Sequence, residues 1–578
     1  MYRKEQRRKL NLLMKNWIEK EQPDDDKIQS LKKDLKIHDF ICSLLLQREV
    51  NSIEKAQKFF RPDINLLHDP FLMKDMKKVV EKIQNLKDQR IMILGDYDVD
   101  GTTSTAMLYK YFKNIGYNLL YYIPDRYNEG YGVSKKAIEY AEINKVSLII
   151  AVDCGIKAID QVNLSNSKNI DMVICDHHLP DDQIPNAFGI LNPKQENCNY
   201  PFKDLCGCGI AYKLITAHNS LVDCSIDTSI FLDFVALATI SDMMPLIDEN
   251  RIMVFHGLNV INTNPRIGLR NFLKSINGRI DESKISFNIG PRINAAGRMK
   301  TGKIIVDLLI EEDINRANTL SNDVEYLNQK RRRIEKDVVD QALKQIDNER
   351  YTNIVCGEGW NQGVLGIVAS RIIERSYKPT VVLTDSDDDI LTGSVRSVKD
   401  YDIYKSLSDC QDNLLQYGGH KYAAGLKIKK SNFEIFKNQF ESIIKDSVGH
   451  KMFTKSFSYD LLIDFSKLTI ENIKIIQRMA PFGLGNKRPV FRTNNCFLDS
   501  KLKFLGKDQQ IVKSIIKDER GLKLPFICFD KKSELIGNKL PFDILYTVNL
   551  NTYSSQESIE LTIKELFIKN KPHQWQGL

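Results

Sequence analysis

Four short apolar runs, at 91–94, 119–123, 148–152 and 172–175, recur at similar spacing, and stretches that read as helices, such as 134–144, separate them. That alternation predicts a parallel α/β sheet. Each run is followed at once by a polar cluster: Asp96-Tyr97-Asp98-Val99-Asp100-Gly101, then Pro124-Asp125-Arg126, Asp153-Cys154-Gly155 and Asp176-His177-His178. In an open parallel sheet the carboxyl ends of the strands converge on one crevice, where ligands bind. Four clusters placed this way predict a single site.

Carboxylates so crowded repel one another, and keeping them all ionised requires a compensating positive charge such as a divalent cation. Aspartate oxygens and histidine nitrogens suit manganese or magnesium better than a thiolate-seeking metal. Two ions sharing a bridging water suit phosphodiester hydrolysis. The Asp96–Gly101 segment also opens like a calcium loop, but Met107 stands where the bidentate glutamate is needed and a strand rather than a helix precedes it. A lone histidine is usually structural. Two in a row after an aspartate at a strand end allow one to ligate a metal and the other to meet a phosphate or set a proton. Asp96 has a second reading, as the cap of a helix beginning near Thr102. Cys198, Cys206 and Cys208 lack a second pair at zinc-finger spacing, so a zinc site is not expected.

The remaining features bound the architecture. The 578 residues, 42% of them hydrophobic, are enough for three or four domains. We expect a helical N-terminal segment over 1–75, the α/β domain over 76–310 and one long helix over 311–350 crossed by Lys330-Arg331-Arg332-Arg333. A smaller α/β domain follows over 351–450, with glycine-rich turns at 357–366 and 418–419. From 451 to 578, short alternating segments suggest a β-barrel of the oligonucleotide-binding kind. The formal charge of +8 only mildly favours a polyanionic partner. The early basic residues Arg3, Lys4, Arg7, Arg8 and Lys9 are followed by no apolar run of signal-peptide length, and no run approaches the roughly 20 residues of a membrane span. With eleven scattered cysteines, the expectation is a reduced, soluble, cytoplasmic protein without membrane partners. Arg292, Arg298 and Arg396 stand beside small residues, in Pro-Arg-Ile-Asn, Ala-Gly-Arg-Met and Ser394-Val395-Arg396-Ser397, where a phosphate can approach both guanidinium and backbone amides. Ordinary surface salt bridges are the alternative.

With Asp176-His177-His178 as signature, the strand-end motifs resemble the DHH phosphoesterase superfamily. Further segments narrow the resemblance to its RecJ exonuclease family: Leu205–Ala211 (LCGCGIA), Ser241–Leu246 (SDMMPL), Gly290–Met299 (GPRINAAGRM), Tyr417–Gly425 (YGGHKYAAG) and Pro481–Asn486 (PFGLGN). The resemblance covers about residue 39 to the last β segments, with the motifs in family order. It departs at Cys206 and Cys208, where small residues are common, at Lys487, where proline is common, and around Lys513, where the barrel's basic motif is weak.

This resemblance implies a DHH domain, a DHH-associated domain and a barrel that together degrade single-stranded DNA from a 5′ end to mononucleotides, in DNA repair and recombination. It implies that Asp98, Asp100, Asp153, Asp242 and His177 ligate the metals, with His178 and Asp96 in or beside the catalytic cluster. It also implies that Arg126, Arg298 and Arg396, with Arg292 and Ser394 nearby in sequence, meet DNA, and that Gly418, Gly419 and His420 line the groove. A single-strand-binding protein and a helicase are candidate partners. Two rival readings keep the fold: a phosphodiesterase on short oligonucleotides, cyclic dinucleotides or pyrophosphate, and a non-catalytic replication scaffold.

Overall fold

The run at 91–94 becomes β1 (Arg90–Gly95), the start of a five-stranded, all-parallel sheet in the computed structural model. The structure describes residues 16–222, 226–274, 276–387, 389–449, 453–506, 509–529, 535, 540–554 and 556–568; the basic residues from Arg3 to Lys9 lie outside them. The chain divides into two units, one holding residues 70–242 and 260–455, the other 16–69, 243–259 and the chain from 456.

In the first unit, β1 leads to α1 (Val99–Asn114), β2 (Asn118–Tyr122), α2 (Lys135–Ile143), β3 (Leu148–Val152), α3 (Ile159–Ser167), β4 (Asp171–Cys175) and β5 (Gly189–Leu191). The strand order is β2-β1-β3-β4-β5. The order reverses between β1 and β3, which opens a crevice at their carboxyl ends. Both central strands are buried along their length, as the uninterrupted apolar runs require of a sheet covered on both faces. Helices α4 (Gly207–Ser220), α5 (Leu232–Ser241) and α6 (Gly290–Met299) complete this layer.

Helix α7 runs unbroken from Ile314 to Leu343. It packs on α6, and its last turns place Val338, Val339 and Ala342 in a core with Val355, Trp360 and Leu365. Of the basic run it carries, Arg331 turns inward, donating to Glu335 and Asn328, while Arg332 and Arg333 stay exposed. Beyond α7 lies a second sheet of β6 (Asn353–Gly357), β7 (Thr380–Asp387), β8 (Ile390–Arg396), β9 (Gln416–His420) and β10 (Ala423–Lys429), in the order β9-β10-β8-β7-β6, with α8 (Leu365–Arg375) packed on β7 and β8. Gly418 and Gly419 are not a turn, as their composition suggested, but the middle of β9. Gly419 pairs with Ala424 at φ +150°, and a Cβ there would sit 2.4 Å from the Ala423 carbonyl oxygen.

The second unit corrects the expectation of a purely helical N-terminal segment. Residues 16–69 do contain three helices, Asp25–Leu35, Asp39–Leu46 and Ile53–Phe60, but open with a strand, Asn16–Glu19, paired in parallel with Ser456–Tyr459. Phe40, Ile41, Leu44 and Leu45 share one core with Phe491, Ile544 and Leu561. The C-terminal strands close a barrel: Phe491–Leu498 pairs with Phe542–Ser554 on one side and with Ile511–Lys517 on the other. A parallel pairing of Lys523–Phe529 with Gln556–Ile568 completes the circuit.

Candidate active site

The end of β1 shows how the backbone aims the carboxylates. Asp98 caps α1, its side chain accepting from the Gly101 amide at 3.1 Å. The helix therefore begins at Val99, not near Thr102, and Asp98 rather than Asp96 is its cap. Asp96 is instead buried beneath the turn, where Gly101 presses so closely on its backbone that a Cβ would lie 2.5 Å from the Asp96 nitrogen. Asp100, one residue inside the helix, is gripped by the amides that open α4: Gly207 and Cys208 donate to it at 2.6 and 2.7 Å. A helix N-terminus is a natural seat for a carboxylate. Gly207 is required there, since its Cβ would come within 2.8 Å of Asp153 Cβ.

Asp153, at the end of β3, adopts φ +60°. Aspartate tolerates that left-handed conformation better than most residues. From β4 come the two histidines. His177 Nε2 lies 3.2 Å from Asp153, 3.6 Å from Asp242 and 3.8 Å from Asp100. Asp242, which ends α5, is the more open member, its side chain 34% exposed. His178 Nδ1 meets Asp176 at 2.7 Å, and the same carboxylate oxygen accepts the His177 and His178 amides. Asp176, in the sequence only part of a signature, thus orients the pair in the fold. Tyr131 was missed as well. It donates to the Asp153 carbonyl at 2.8 Å, and its hydroxyl lies 3.3 Å from His178 Nε2.

The electrostatics call for a cation. Burial, with Asp98 beside it, raises Asp96 well above the usual carboxylate range. Burial and the neighbouring carboxylates do the same to Asp153, and burial raises Asp100 against the pull of His177. Burial and the charges of Asp100 and Asp98 push Asp242 up to about 8. Burial holds His177 below its ordinary value, leaving the ring neutral and able to ligate. His178, despite burial, is raised by Asp176. Asp96 Oδ1 and His177 Nδ1 are buried without a hydrogen-bond partner among the described residues. Two triads, Asp153-His177-His178 and Asp100-His177-Asp242, bring their ligand atoms within 4.8 Å of one another. The donor set fits manganese or magnesium. Cys206 and Cys208 are buried, and Cys206 Sγ caps α4 by accepting from Gly209; neither belongs to these triads.

A polar cleft of about 570 Å³ is lined by Arg126, Arg298, Arg396, Ser394, Gly418 and Gly419. Arg126 lies over the ring of Tyr97, between Asp96 and Asp98 in sequence. Burial and the neighbouring Arg126 and Arg396 lower Arg298 to about 10; burial and Arg126 also lower Arg396. Three guanidiniums held together against their own repulsion form a site for an anion. The companion domain is tied to this cleft by Arg298 Nη1 donating to the Gly363 carbonyl at 2.9 Å, and within the first domain Tyr127 braces the same arginine by donating to its carbonyl at 2.5 Å. His420 is exposed at the end of β9 and does not line the cleft. Nor does Arg292, which donates to Glu325 at 2.7 Å and borders a second cavity of about 780 Å³ with Arg331, Arg332, Lys336 and the 78%-exposed Phe287.

Three family models match in succession: the DHH family, N-terminal domain, over residues 90–239, the DHHA1 domain over 337–446 and the RecJ OB domain over 459–565. The chain is 33% identical to the single-stranded-DNA-specific exonuclease RecJ of Bacillus subtilis, covering 96% of this chain and 71% of that one. With the protein of the same name from Escherichia coli the identity is 31%, over 85% and 90%. The crystal structure of RecJ in complex with Mn2+ from Thermus thermophilus matches with a TM-score of 0.83 at 22% identity, covering 96% of this chain and 80% of that one. Its Mg2+ complex matches at 0.77. Among the described residues no helix is long and apolar enough to cross a membrane.

Proposed function

This chain belongs to the RecJ family of single-stranded-DNA-specific exonucleases, and from that premise we propose how its residues carry out the reaction: removal of 5′ mononucleotides, from the 5′ end of a single strand, in DNA repair and recombination. The observation that carries this reading is the meeting of Asp100, Asp153, Asp242 and His177 within one cluster, in the same unit as a cleft lined by three arginines. Those four residues, with Asp98 and Asp96 beside them, would hold two manganese or magnesium ions. Such ions, when bound, supply charge stabilisation at the phosphodiester and activation of water.

The rest falls to the chain itself. Arg126, Arg298 and Arg396, with Ser394, receive a phosphate at the 5′ end in a fork geometry suited to phosphate oxygens. That fixes which bond lies over the aspartates. Asp176 keeps His178 oriented and favours its cationic form, so the ring can donate to a phosphate oxygen. The cavity bordered by Phe287, Arg332 and Lys336 suits the continuing strand, through phosphate attraction and stacking that do not depend on sequence. A single-strand-binding protein and a helicase are the protein partners such an enzyme calls for.

The test is mutational. Arg396→Ala should raise KM for single-stranded DNA bearing a 5′ phosphate by at least about tenfold, as loss of a charge-assisted contact implies, with Mn2+ affinity unchanged. An unaltered KM would overturn the assignment of the cleft.

A further inference from the structure

The two histidines sit on a loop after β4, gripped on one side by Asp176, which takes both of their amides. Their carbonyls point the other way, and both are taken by the segment that follows β5. Lys194 Nζ donates to the His177 carbonyl at 2.7 Å, and Asn192 Nδ2 donates to the His178 carbonyl at 2.9 Å. The two donors are tied to each other, because Asn192 Oδ1 accepts the Lys194 amide at 2.8 Å. Parallel pairing of β4 with β5, Cys175 opposite Leu191, brings residues 192–194 alongside 176–178. The Asp176 amide continues that alignment by donating to Leu191 at 3.1 Å. Asn192 is fully buried. Gln195 Nε2 braces the turn by donating to the carbonyls of Ile190 and Asn192.

We infer that Lys194, seated by Asn192, is a positioning residue for the metal cluster: it locks the His177 carbonyl so that the ring stays among Asp100, Asp153 and Asp242. This rests on the reading of that cluster as the metal site. The bond from an ammonium group is charge-assisted, and such bonds are stronger than those between neutral groups. The ring it steadies has no hydrogen-bond partner at Nδ1 among the described residues, so none of them fixes that nitrogen in the way usual for a metal-ligating histidine. Backbone anchoring takes over that duty. One of its three N–H donors is held by the His177 carbonyl, and the lysine acts on the site through that bond.

The experiment uses the full-length protein, stripped of metal with a chelator and titrated with MnCl2 in a calorimeter without DNA. Lys194→Met, which keeps the stem and loses the donor, should weaken Mn2+ binding by about 10- to 100-fold, the usual cost of losing an outer-shell partner. Lys194→Arg should restore it to within about threefold, and KM for single-stranded DNA should stay unchanged in both at saturating Mn2+. If the methionine variant binds Mn2+ like the wild type, or if KM rises while Mn2+ affinity holds, the assignment is wrong and Lys194 is a substrate contact or a bystander. Should the methionine variant fail to fold, the arginine variant decides: Mn2+ binding weakened tenfold or more in a folded Lys194→Arg protein overturns the proposal. A wild-type protein that binds no Mn2+ would instead sink the metal reading of the cluster, a separate failure.

Discussion

Asp153 concentrates the site's logic in one residue. Its positive φ directs the carboxylate at His177, and its charge is tolerated only if something cationic joins it. Asparagine accepts the same backbone conformation, so Asp153→Asn should abolish calorimetric Mn2+ binding and lower the rate by at least about a thousandfold, the scale of losing a group central to catalysis. It should leave the melting temperature of the metal-free protein equal or higher; a lower one would contradict the account of carboxylate repulsion. A second residue, remote from the site, sets a pH dependence. His218 is fully buried between the hydroxyls of Tyr111 and Tyr117, and burial lowers it to about 4. The unfolded chain takes up its proton near pH 6.5 and the folded chain does not until near 4, so stability falls as pH drops through that window. The loss between pH 7 and pH 5 is on the order of 2 kcal/mol. Urea unfolding of His218→Gln should show that much less pH dependence than the wild type, and equal slopes would refute it. The aspartates and histidines after β1, β3 and β4 were legible in the sequence because each cluster follows an apolar run, whereas Asp242, at the end of a helix, was expected only from the family resemblance. Lys194 and Asn192 were not legible: they follow β5, a strand of three residues whose run is too short to read, and their partners are backbone carbonyls that leave no trace in side-chain pattern.

At the scale of elements, the start of α4 does more than begin a helix. Its first amides seat Asp100, and Gly207 lets the turn pass against Asp153. Gly207→Ala would put a methyl group 2.9 Å from Asp153 Cα, a clash with backbone that cannot swing aside. Overpacking of this kind costs about 1–3 kcal/mol, and here it would displace two proposed ligands. We expect Mn2+ affinity to fall at least about tenfold, while circular dichroism at 25 °C stays like the wild type; full Mn2+ affinity would contradict the proposed seat. Strands β1 to β4 and helix α7 could be read from periodicity alone. Strands β8, β9 and β10 could not, since the Gly418-Gly419 pair that makes room for Ala424 in the ladder looks like a turn when read without its neighbour.

For the whole molecule, the least legible feature is the joint core of the N-terminal helices and the C-terminal barrel. Lys20 donates to Asp460, 440 residues away, and no local pattern announces a partner so distant. Truncation after Lys455, a natural way to ask whether the barrel serves long substrates, would therefore strip the cover from Phe40, Ile41 and Leu44. Limited trypsin digestion should cut the truncated protein within residues 25–60 much faster than the full chain, and resistance there would contradict the shared core. The activity itself is tested on the untruncated 578-residue chain. The most direct measurement incubates it with Mn2+ or Mg2+ and four DNAs, single-stranded or blunt duplex, each labelled at the 5′ or the 3′ terminus. The account predicts early release of labelled mononucleotide from the 5′-labelled single strand and from none of the others. Early release from the 3′ label, or equal attack on duplex, would contradict it.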